Sequence, residues 1–376
     1  MLGLKTFGNS GTLAWATVAG IFGVAATAGC QLERVDDGIV SLRPAATAKA
    51  PISMSVDIAL VSEDVACVIN SFDPRLYCVD SRRQVVGTFG REGEGPGELR
   101  PPAYIERGPE GSVAVFELGS AQMTFFRPDG ALLSETRMPA DFVGTDLWGD
   151  RVLGFRLAML DRSRSNDQSR YAAAEVDASS GEVLWERDVA DAVGLDCFNG
   201  LVGTLNPNGG GIVTTACEQE LVFLDHWADS AAIVVPSPTY VPALPNERDV
   251  EVYVERVSRI GGGMVHLSDA RKEAYAAGYR DTPKKWYYGG SVALSFDGEN
   301  RLWAATSRDR DAFSYFDIWM NRGYAGTVRI RDRLMGYDIL GSTLVALVER
   351  EPDRYGIAPR AIDWYDIGNV AFTRDK

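Results

Sequence analysis

The chain is predicted to be all-β and built from a repeated four-stranded unit. Three observations predict this. β-Branched and aromatic residues come in short runs, Gly, Asn, Asp and Pro punctuate them, and past residue 55 little sustained helical period is found. The clearest unit runs from Tyr104-Ile105 through Ser112–Phe116 and Gln122–Phe126 to Ala131–Leu133, with turns at Pro109-Glu110-Gly111 and Pro128-Asp129-Gly130 and a break at Gly119-Ser120. Four strands in about forty residues make one propeller blade. Of 376 residues, 45% are apolar and 24% charged, the composition of a folded chain.

In chain order the first element is a leader, 1–29. No charge falls between Thr6 and Leu32, and Lys5 with the amino terminus supplies a thin positive end, the order of an export signal. The stretch is also long enough to span a bilayer. Thr27-Ala28-Gly29-Cys30 resembles the lipobox of bacterial lipoproteins, with Thr27 in place of the usual Leu, which implies lipidation at Cys30. Ala26-Thr27-Ala28 also fits cleavage by an ordinary signal peptidase, so a plain secreted chain and a retained helix stay open. All three place the body outside the cytoplasm. Gln31, where an Asp would signal retention at the inner membrane, implies by the same resemblance an outer-membrane destination in the cell envelope. Residues 30–56, rich in Ala and Pro, read as a tether.

Blades are expected near 57–90, 99–136, 143–190, 197–236, 290–331 and 335–367, within a propeller spanning 57–367 and followed by a tail, 368–376. This makes six, and 249–266 leaves room for a seventh. A short helix interrupts the strands, with Ser268 as N-cap, residues from Asp269 to Ala277 in the body and Gly278 as its stop. With Cys30 assigned to lipid, four cysteines remain. Cys67 and Cys78 flank a turn symmetrically between strand-like runs, as do Cys197 and Cys217, so two local disulfides are expected.

Charge and residue counts restrict the chemistry. Lys plus Arg is 38 against 52 for Asp plus Glu, a net −14 that repels nucleic acid. His226 and His266 are the only histidines, too few for a multi-histidine metal centre, and each reads as structural. Without C-x-x-C spacing, redox catalysis and zinc knuckles gain little support.

The segment from Val85 to Pro102, containing Gly90-Arg91-Glu92-Gly93-Glu94-Gly95-Pro96-Gly97, resembles an NHL-type repeat junction, and more closely that of six-bladed β-propeller lipoproteins of bacterial envelopes. The resemblance covers about 18 residues, and the weaker strand pattern carries it over most of 57–367. The fold it implies places ligands over the central channel, on the face of blade-to-blade connections and second-to-third-strand loops. On this chain that face includes Asn70, Ser71, Arg91, Glu92, Glu94, Glu117, Ser120, Arg308, Asp309 and Arg310. Trp286-Tyr287-Tyr288 follows the helix and reads as an exposed stacking platform for a sugar or peptide. The functional expectation is a non-catalytic binding or assembly platform without a cofactor, attached to the membrane through lipid alone and partnered by an envelope protein or glycan. The alternative is a calcium-dependent hydrolase or lyase resembling the lactonase-like propellers, which needs carboxylates convergent on the channel.

Overall fold

In a computed structural model the described residues are 33–34, 39–50, 55–70, 74–100, 102, 104–117, 120–158, 170–188, 198–207, 211–216, 219–225, 232–247, 249–251, 253–254, 268–289, 293–308 and 312–372. They form a six-bladed β-propeller. Blade 1 is β4(Ser55–Ser62), β5(Val65–Asn70), β6(Leu76–Asp80) and β7(Val85–Phe89). Blade 2 is β8(Tyr104–Arg107), β9(Val113–Glu117), β10(Gln122–Phe126) and β11(Leu132–Arg137), and blade 3 is β12(Phe142–Trp148), β13(Arg151–Ala158), β14(Arg170–Asp177) and β15(Val183–Asp188). β16(Phe198–Leu205), β17(Gly211–Ala216), β18(Glu220–Asp225) and β19(Ile233–Pro236) make blade 4. Blade 5 holds β20(Leu294–Phe296), β21(Leu302–Thr306), β22(Phe313–Met320) and β23(Gly323–Arg331). Blade 6 holds β24(Arg333–Leu340), β25(Thr343–Glu349) and β26(Arg360–Asp366). The six expected blade positions correspond to these sheets.

The second strands read as continuous apolar runs because each blade is covered on both sides. In β9, Val113 and Val115 belong to the core shared with blade 1, whereas Ala114 and Phe116 belong to the core shared with blade 3. In β25, Leu344, Ala346 and Val348 face blade 5, and Val345 and Leu347 face blade 1. The period of two along a strand thus sends alternate side chains to opposite neighbours. Six clusters result, one at each blade interface.

The segment expected as a tether contributes to the ring itself. β1(Glu33–Arg34) pairs with β2(Val40–Ser41), which lies parallel to β23, and β3(Ala46–Lys49) pairs antiparallel with β26 as the fourth strand of blade 6. Blade 6 has only three strands of its own, so the N-terminal strand satisfies its open edge and joins the ends of the propeller.

Cys67 and Cys78 stand opposite each other on β5 and β6 and form a disulfide. Cys30, Cys197 and Cys217 lie outside the described residues, as do both histidines. The helix α1(Asp269–Arg280) begins where expected, with the Ser268 hydroxyl accepting from the Arg271 amide, but it continues through Gly278. Nothing lies within 4 Å of a Cβ placed at Gly278, so no close approach demands glycine there. At the start of the region left open for a seventh blade, Asp249–Glu251 and Tyr253-Val254 are helical. Among the described residues no helix is long and apolar enough to cross a membrane.

Candidate functional site

The first strands β4, β8, β12, β16, β20 and β24 neighbour one another around the channel. Each starts on the face of blade-to-blade connections and ends at its first hairpin, so the C-terminal ends of all six meet on the opposite, hairpin face. There a cavity of about 180 Å³ is lined by Glu106, Arg107, Asp146, Trp148, Thr204 and Asp338, among others. Five of the six first strands or the turns after them contribute to it.

Two of these carboxylates are held by an inter-blade device. Asp146 Oδ1 accepts from its neighbour, the Leu147 amide, at 2.9 Å, while Oδ2 accepts from the Leu205 amide at 2.7 Å and the Thr204 hydroxyl at 2.8 Å. Asp338 repeats this, taking the Ile339 amide on Oδ1 and the Leu60 amide of blade 1 on Oδ2 at 2.7 Å. Buried Asp57 takes Ile58 and, across to blade 2, Ile105, both at 3.0 Å. The ladder shifts register just before two of these aspartates, between Gly144 and Asp146 in β12 and between Ser55 and Asp57 in β4.

Glu106 lacks such amide donors. Desolvation, reinforced by Asp146, Asp338 and Asp57, pushes it well above the ordinary carboxylate range. Desolvation also raises Asp146 to about 6 against the pull of its donors, and raises Asp338 although Arg107 opposes the shift. The side chains nevertheless keep contact with the cavity, since Glu106, Arg107, Asp146 and Asp338 are only half-buried. Arg107 Nη1 is buried without a hydrogen-bond partner, and Trp148, 47% exposed, stands at the mouth. The arrangement offers acceptors deep inside and an aromatic face at the rim, which suits a cationic group entering from the hairpin face. Among the described residues no three His, Cys, Asp or Glu side chains come together as a metal-holding group.

The residues singled out from sequence lie on the connecting face. Arg91 pairs with Glu98 at 2.5 Å, and Glu94 with Arg100 at 2.8 Å. Glu98 also accepts from the Gly95 amide, the main cause of its lowered pKa. A Cβ at Gly93 or Gly95 would press on the Glu98 side chain, and Gly90 and Gly97 have positive φ, so the junction's glycines make the tight path expected of them. Glu92 bridges Leu99 through backbone. Glu117 is 2% exposed, accepts from Ser120 at 2.7 Å and is raised by desolvation. Asn70 ends β5, while Ser71, Asp309 and Arg310 lie outside the described residues.

The aromatic run differs most from expectation. Trp286 and Tyr287 are each 5% exposed and Tyr288 is half-buried, so they form no exposed platform. Tyr287 bridges Thr306 at the end of β21, which draws the run into the core between blades 4 and 5. Arg308 does meet Trp286, its guanidinium 5.5 Å from the ring, and it pairs with Asp317 at 3.2 Å. Asp317 is fully buried and also accepts from Ser237 and Thr239, while Trp286 donates to Thr239 at 3.1 Å. Arg350 and Asp363 occupy the equivalent positions of blade 6, with Thr47 of the N-terminal strand completing the set. Recurrence in two blades marks this as an architectural pairing.

The fold and the channel together define a six-bladed β-propeller with an acidic, partly open channel mouth. No protein-family model matches the chain, and no curated protein matches it. Among solved structures it is similar to the crystal structure of Chaetomium thermophilum Raptor, at TM-score 0.46 and 9% identity. The match covers 92% of this chain and 30% of the Raptor chain.

Proposed function

We propose that this chain is a non-catalytic envelope lipoprotein, lipidated at Cys30 and directed to the outer membrane, whose propeller binds a protein loop at the hairpin-face channel mouth. The observation that carries the binding site is the cavity of about 180 Å³, where Glu106, Asp146 and Asp338 lie beneath exposed Trp148. Its size suits one long side chain, and the oxygens of Glu106, Asp146 and Asp338 give a Lys or Arg side chain acceptors that its charge would help to ionise. The uncharged stretch from Thr6 to Leu32 and the Thr27–Cys30 spelling support the anchor, and the Val85–Pro102 junction supports kinship with NHL-like envelope propellers. The carboxylates position a bound cation and need no cofactor in this reading.

The test compares wild type with Trp148→Ala in binding to envelope extracts, with and without EDTA. Loss of the aromatic face should weaken the captured interaction by ~1–3 kcal/mol, as for other interface anchors. EDTA should leave it unchanged. Equal binding by both proteins, or binding abolished by the chelator, contradicts the reading and returns the calcium-dependent alternative to the front.

A further inference from the structure

We propose that the hairpin-face mouth gives up a proton when it receives a cationic side chain, so that this partner binds more tightly as pH rises from 5 to 7. The inference rests on the reading of the mouth as a lysine or arginine site given above. Its structural basis is an imbalance of charge in a confined space. Glu106, Asp146 and Asp338 line the cavity of about 180 Å³, and among the described residues Arg107 is the only cation in its lining. The remaining carboxylate there, Asp297, is already paired with Arg301 at 2.5 Å. With Glu106, Asp146 and Asp338 all ionised, three negative charges would share the cavity with one positive charge. Like charges at such close quarters do not all ionise, so the empty mouth retains a proton.

The hydrogen bonds identify the carboxyl that keeps it. Asp146 and Asp338 each accept backbone amides on both oxygens, and those donors favour the ionised form. Glu106 has no such donor. The charged groups that face it are Asp57 on β4, Asp146 on β12, Asp338 on β24 and the adjacent Arg107. β9, the other strand against β8, sets apolar Ala114 opposite Glu106. Tyr104, also on β8, stays neutral, because burial holds its hydroxyl well above the usual range. Arg107 leaves the balance unsettled, since its Nη1 is buried without a hydrogen-bond partner. An entering ammonium or guanidinium supplies the missing positive charge. The Glu106 O–H bond then breaks, its proton passes to solvent through the partly open mouth, and the carboxylate left behind accepts from the cation. Glu106 held well above the ordinary carboxylate range and Asp146 at about 6 set this exchange in the stated interval. The same proton stabilises the unliganded propeller, so protons and partner compete for one site.

The experiment titrates the full chain with Nα-acetyl-lysine methylamide, whose ammonium keeps its charge between pH 5 and 7, and with the uncharged norleucine analogue. Calorimetry in pairs of buffers with different heats of ionisation counts the protons exchanged on binding. The lysine probe should release about one proton at pH 6 and bind about tenfold more tightly at pH 7 than at pH 5. The norleucine analogue should release none. Glu106→Gln, which keeps the shape of the side chain, should reduce the release and flatten the pH dependence. The comparison of buffers on the wild type decides the matter without any variant. Lysine-probe affinity that is equal at the two pH values, or higher at pH 5, overturns the proton exchange and leaves the mouth as a cation site. So does a proton released to the norleucine analogue, or undiminished release from folded Glu106→Gln protein. A lysine probe that does not bind, or that binds Trp148→Ala as well as the wild type, overturns both.

Discussion

At Asp146 one carboxylate joins two blades, and its replacement isolates the contribution. Asp146→Ala leaves the Leu205 and Leu147 amides and the Thr204 hydroxyl without their acceptor. A loss of about 1–3 kcal/mol is expected for such orphaned donors, measured by urea unfolding at pH 7. Trp286 provides a second residue-scale test. Being 5% exposed and packed between blades 4 and 5, its replacement by Ala should cost ~3–5 kcal/mol of stability. Unchanged stability would restore the exposed platform that the sequence suggested. That expectation arose because Lys284-Lys285 and a polar helix precede the aromatic run, while the bridge from Tyr287 to Thr306 has no local signature. The channel carboxylates were equally hard to read, since Asp146 and Asp338 come together only through ring closure. A signal was present in the repeated spelling Gly144-Thr145-Asp146-Leu147 and Gly336-Tyr337-Asp338-Ile339, which aligns the two first strands.

Among the elements, those legible in sequence were strands whose side chains alternate between two neighbouring blades, and the turns between them. β5 and β6 were readable down to the opposed cysteines. β3 was not, because Ala46-Thr47-Ala48-Lys49 has little apolar character and its partner β26 lies more than 300 residues away. Its importance is tested by Ala48→Asp. Ala48 is 2% exposed within the core between blades 6 and 1, so the substitution buries a charge and should release the closing strand. Hydrogen exchange of β26 amides should then accelerate strongly, with smaller changes in blade 3. Uniform exchange across the ring would mean that β3 is not its closure.

Across the whole molecule, buried carboxylates decide how stability follows pH. Burial raises Glu106, Glu117, Asp146, Glu175, Asp317, Asp338 and Asp363, whereas hydrogen bonds lower Glu98 and Asp177. A group raised on folding binds its proton more readily in the folded state, so its stabilising contribution is present at low pH and lost as pH rises through the folded value. For Asp146 the window runs from the unfolded value near ~4 up to about 6. Unfolding free energy should therefore increase as pH is lowered from 7 to 5. Asp177, held at about 2 by Ser179 and Ser180, contributes in the opposite sense only at lower pH. Stability that falls between pH 7 and 5 would show that the channel carboxylates are fully solvated.

In the proposed function the hairpin-face mouth, rather than the connecting face, receives the partner. Site-specific photo-crosslinking in cells tests it directly, with a benzophenone side chain at Trp148 in one variant and at Glu94 in another. These positions lie at the mouth and in the glycine-rich junction on the opposite face. A discrete adduct with an envelope protein is expected from position 148 and none from position 94. An adduct from position 94 alone would contradict it and move the binding surface to the blade-to-blade connections.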